Sequence, residues 1–85
     1  MKETKMKVYI SLMTDFEDFT EREQASKILG VFYNVENAID KILDDLRHFI
    51  EGDAKKSLQY RKQLENFRTT SAECFLYNIE ERTVE

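Results

Sequence analysis

The sequence predicts a small α+β domain, a three-stranded antiparallel or mixed sheet in the order β-β-α-α-β with the helices packed on one face. Three observations lead there. Residues 6–12 alternate apolar with polar at a two-residue period, residues 35–51 carry apolar side chains at three- and four-residue intervals, and residues 75–79 return to the two-residue period. With 85 residues, 35% charged and 41% hydrophobic, the chain has material for one domain over 1–85 and one core. A chain this short buries only about 60–65% of the surface it exposes when unfolded, so stability is modest and a homodimer fits.

The first strand is read from KMKVYISLM, where Met6, Val8, Ile10 and Leu12 lie on one side and Lys5, Lys7, Tyr9 and Ser11 on the other. This is the pattern of a half-buried strand. Residues 1–5 have no apolar side chain after Met1 and read as a loose leader. An acidic loop follows, with Asp15, Glu17, Asp18, Glu21 and Glu23 set around Phe16 and Phe19. Within it, Thr20 and Glu23 match a capping box and suggest a helical turn near 21–26. KILGVFY supplies a second strand, and Gly30 inside it indicates a bulge or a close backbone approach.

Asn34 is a suitable N-cap for a helix over about 35–51, whose apolar face is Val35, Ala38, Ile39, Ile42, Leu43, Leu46, Phe49 and Ile50. Glu36 in its first turn complements the helix dipole, and Gly52 offers a left-handed stop. Asp53 caps a second helix over about 54–67, with Leu58, Tyr60, Leu64 and Phe67 on a looser apolar face. TTSA reads as a polar break. ECFLYNIEE then forms the third strand, with Phe75, Tyr77 and Ile79 opposite Cys74, Leu76 and Asn78. The first two strands can pair antiparallel across the acidic loop, and the third joins either of them.

The net charge of −4 conceals a strong division along the chain: +2 over residues 1–13, −6 over 14–51, +3 over 52–70 and −3 over 71–85. Two surfaces follow as candidates. The acidic one joins Asp15, Phe16, Glu17, Asp18 and Phe19 of the loop to Glu36, Asp40 and Asp44, which stand on one helix line at a rise of about 6 Å per step. The basic one comprises Lys55, Lys56, Arg61, Lys62 and Arg68, interleaved with Tyr60 and Phe67. Those bases could hold phosphates and the aromatics could stack on bases, but the surrounding acids repel a polyanion. Packing of the basic helix against the acidic one is the simpler account.

Other chemistry finds little support. One cysteine makes neither an intramolecular disulfide nor a cysteine-rich zinc site, and nothing points to an oxidising compartment, so a cytoplasmic setting is expected. No apolar stretch approaches the ~18 residues of a membrane span, and no membrane association is expected. Cys74 and His48 are the minimum pair for a thiol mechanism, yet Cys74 fits better as a small core residue and His48 as a helix-boundary residue. Asp15, Glu17 and Asp18 lack the glycine and the terminal glutamate of a calcium loop, and two glycines cannot build a phosphate-cradling loop. No catalytic residue, cofactor or metal is assigned.

MKVYI, LGVFYNVENAIDKI and the closing aromatic-alternating strand followed by acids together resemble a family of small bacterial and phage proteins of unassigned function. Their shared pattern is an M-K-V-Y start, an L-G-V-[FY] strand and a helix opening with a glutamate and an alanine, here Met6–Tyr9, Leu29–Phe32, and Glu36 with Ala38. The likeness covers about half of the chain, and the segment 52–70 departs from it. It implies the fold and a bacterial or phage origin, and no activity. Small phage proteins commonly bind host machinery. The expectation is therefore a non-enzymatic modulator that inhibits or redirects a host protein through its acidic, aromatic-bearing surface, by mimicry if that host protein has a basic nucleic-acid-binding groove. The alternative is a nucleic-acid-binding regulator using residues 55–68.

Overall fold

The computed structural model describes residues 6–15, 26–73 and 75–84, which form an α+β fold with an open four-stranded antiparallel sheet. The leader 1–5, the capping box at Thr20 and Glu23, and Cys74 lie outside the described residues. In chain order the elements are β1 (Met6–Asp15), β2 (Ser26–Phe32), α1 (Val35–Asp45), α2 (Arg47–Ile50), α3 (Ala54–Phe67), β3 (Thr69–Ala72) and β4 (Phe75–Val84). The sheet order is β2-β1-β4-β3, so the first and last strands are the central pair.

The expected three-strand order is corrected in one element. Residues 69–72, read as a polar break, form the edge strand β3, which pairs antiparallel with β4 through Thr70 with Tyr77 and Ala72 with Phe75. Four small or hydroxylated residues are too few to show a period, and the strand is fixed by its partner and by side-chain bonds. The Thr69 hydroxyl donates to the Tyr77 carbonyl at 2.9 Å, and the buried Thr70 hydroxyl bonds Gln63 of α3.

The long helix predicted over 35–51 is interrupted at Leu46, which closes α1 and precedes the single turn of α2. Its apolar face is nevertheless continuous, because Leu46 is fully buried and Phe49 and Ile50 pack on the same cluster. Asn34 caps α1 as expected, accepting from the Asn37 N–H at 2.8 Å. Glu51 and Gly52 both adopt left-handed φ values, 51° and 77°, and turn the chain into α3. There Asp53 accepts from the Lys55 N–H at 2.9 Å, and the helix covers the predicted 54–67.

The core lies between the helices and one face of the sheet. Ala38, Ile39, Ile42 and Leu46 of the first helical segment meet Leu64 of α3 and Ala72, Tyr77 and Ile79 of the sheet. Two small residues meet where α1 crosses β1, Ser11 and Ala38. Ser11 of β1 is buried and donates to the Ala38 carbonyl at 2.9 Å, and Gly30 is its register partner on β2. A Cβ on Gly30 would stand 2.6 Å from the Phe32 ring, so the glycine makes room for that ring over the backbone. The register also shifts here: Ser11 pairs with Gly30 but Leu12 pairs with Ile28, leaving Leu29 as the extra residue of a β-bulge. Of the two alternatives expected at Gly30, the bulge is present, one residue away at Leu29, and the close neighbour is the Phe32 side chain.

A half-buried strand ordinarily turns its aliphatic side to the core. β1 does the reverse. Ser11 faces α1, and Tyr9 and Met13, two residues to either side, pack on the same cluster. Met6, Val8, Ile10 and Leu12 therefore point to the face that carries no helix among the described residues.

Candidate functional site

The acidic candidates are dispersed by the fold. Asp15 ends β1, half-buried and opposite Phe75, whereas Phe16, Glu17, Asp18 and Phe19 lie outside the described residues. On α1, Glu36 is exposed and has no ion-pair partner among the described residues. Asp40 is bound to Arg61 of α3 at 2.7 Å, and Asp44 is bound to Arg47 three residues on. Two of the three acids on the helix line thus have local counter-charges.

The basic candidates divide as well. Arg61 holds α3 to α1 through Asp40, in line with packing of the basic helix against the acidic one. Arg68 closes its own helix, donating to the carbonyls of Leu64 at 3.3 Å and Glu65 at 2.6 Å. Lys55, Lys56 and Lys62 remain exposed, without ion-pair partners among the described residues.

His48 is exposed and stacks obliquely on Phe49, with ring centroids 4.2 Å apart. It lines a shallow, open depression with Asp44, Arg47, Glu51 and Gly52. No group of three or more potential metal ligands occurs among the described residues, and no helix among them is long and apolar enough to cross a membrane. Among the described residues the most perturbed titratable group is Tyr77, whose hydroxyl donates to Asp45 at 2.7 Å. Burial first, then the hydrogen bond and charge of Asp45, push its pKa well above the ordinary tyrosine range. This is an inter-element tie from the sheet to α1, and Tyr77 stays neutral in it.

The feature that residue patterns did not single out is the helix-free face of the sheet. Direct register partners lie on the same face of an antiparallel sheet. The pairs Met6 with Val84, Val8 with Arg82, Ile10 with Glu80 and Ile10 with Val31, and Leu12 with Asn78 and with Ile28, therefore share one surface, joined by Leu76 opposite Thr14. Ile28 is 61% exposed, Val31 56% and Met6 51%. At its edge Glu80 accepts from Arg82 at 2.9 Å. The aliphatic alternation of residues 6–12 and the pair Ile28 and Val31 were visible signals, but their side of the sheet depends on where the helices attach.

Family models, curated proteins and solved structures provide no match to the chain. The resemblance to small bacterial and phage proteins gains no support from these comparisons and loses none.

Proposed function

We propose that the chain is a non-enzymatic protein-binding module that works through the helix-free face of its sheet. One observation carries this reading: a contiguous aliphatic field of Met6, Val8, Ile10, Leu12, Ile28 and Val31 on a surface with no helix over it among the described residues, Met6, Ile28 and Val31 exposed and Val8, Ile10 and Leu12 half-buried. Large contiguous apolar patches on small proteins mark interaction sites. The paired state of Asp40 and Asp44 shifts the acids of α1 from anchors to long-range steering, which weakens the case for acidic mimicry.

The test is capture by immobilised protein. Wild-type chain should retain a protein that a variant carrying Ile10→Glu and Val31→Glu does not, while charge reversal at Asp40 and Asp44 should leave capture intact. Equal retention by the sheet-face variant would overturn the proposal. A second reading, polyanion binding by α3, is favoured by Lys55, Lys56 and Lys62, which are exposed and have no ion-pair partner among the described residues. It requires salt-sensitive retardation of DNA or RNA that disappears when all three become Glu.

A further inference from the structure

We draw no further inference here: the strongest candidate, the aliphatic face of the sheet around Ile10, Ile28 and Val31 that carries no helix among the described residues, belongs to the site already described, and nothing in the structure shows what covers it.

Discussion

On its helix side β1 contributes Tyr9, Ser11 and Met13, and on its other side Val8, Ile10 and Leu12. All of them are half-buried except Ser11, which is fully buried beneath α1. What distinguishes the two sides is how closely a helix meets them: buried Ser11 faces Ala38 of α1, and its hydroxyl donates to the Ala38 carbonyl at 2.9 Å. Hydrophobicity alone would have put α1 on the opposite face. Small residues and one buried hydrogen bond decide which side is core, and the side left over has its own composition: aliphatic centre, Glu80 and Arg82 at the margin.

The contrast can be broken by mutation, most strongly on the covered side. Leu64→Ala or Leu46→Ala removes a fully buried side chain, and each should lower the unfolding free energy by about 3 kcal/mol in urea titrations. Next, Ser11→Val exchanges the Ala38 hydrogen bond for an extra branch beneath α1 and should cost about 2 kcal/mol. A loss below about 0.5 kcal/mol, small enough to be an ordinary surface effect, would show that α1 does not depend on this approach.

Tyr77→Phe should cost about 1 kcal/mol and also alter the pH response. Because the folded state holds Tyr77 neutral above the pH at which it ionises when unfolded, the unfolded chain binds fewer protons there and stability falls as pH rises past about 10. The Phe variant should show a shallower fall. Arg61→Ala breaks a partly exposed pair and should cost no more than about 1 kcal/mol, diminishing with salt. Smallest of all, Val31→Thr on the open side should change the stability of the dilute chain by less than about 0.5 kcal/mol. An effect there as large as that of Leu64→Ala would erase the distinction between the faces.

The parts of the fold legible in the sequence are those whose signals are local. Asn34 and Asp53 cap the helices they were expected to cap, and Gly30 stands beside the β-bulge that it was read to indicate. Phe75, Tyr77 and Ile79 share a side as their alternation predicts, with Tyr77 and Ile79 buried in the core and Phe75 packed against it. β3 escaped because its four residues take their conformation from β4 rather than from any preference of their own. The exposed face escaped because the alternation of residues 6–12 separates two sides without saying which one a helix will cover. The acidic line on α1 was legible as a pattern, but the Arg61 and Arg47 side chains that meet Asp40 and Asp44 become visible only once α3 lies beside α1 and the helix turns at Leu46.

The central position of β1 and β4 has a kinetic consequence. Each end of the chain holds a hairpin, β1 with β2 and β3 with β4, and the seam between them joins residues that are 60 positions apart at Asp15 and Phe75 and 78 apart at Met6 and Val84. Closing so long a loop precedes any reward from the contacts it brings, so this seam should set the folding rate while the hairpins and helices form quickly. The last event in folding then completes both faces at once. Until the seam closes, the aliphatic side of β1 and Ile79 of β4 lie open on separate pieces of the chain, the interval in which this protein is most exposed to aggregation.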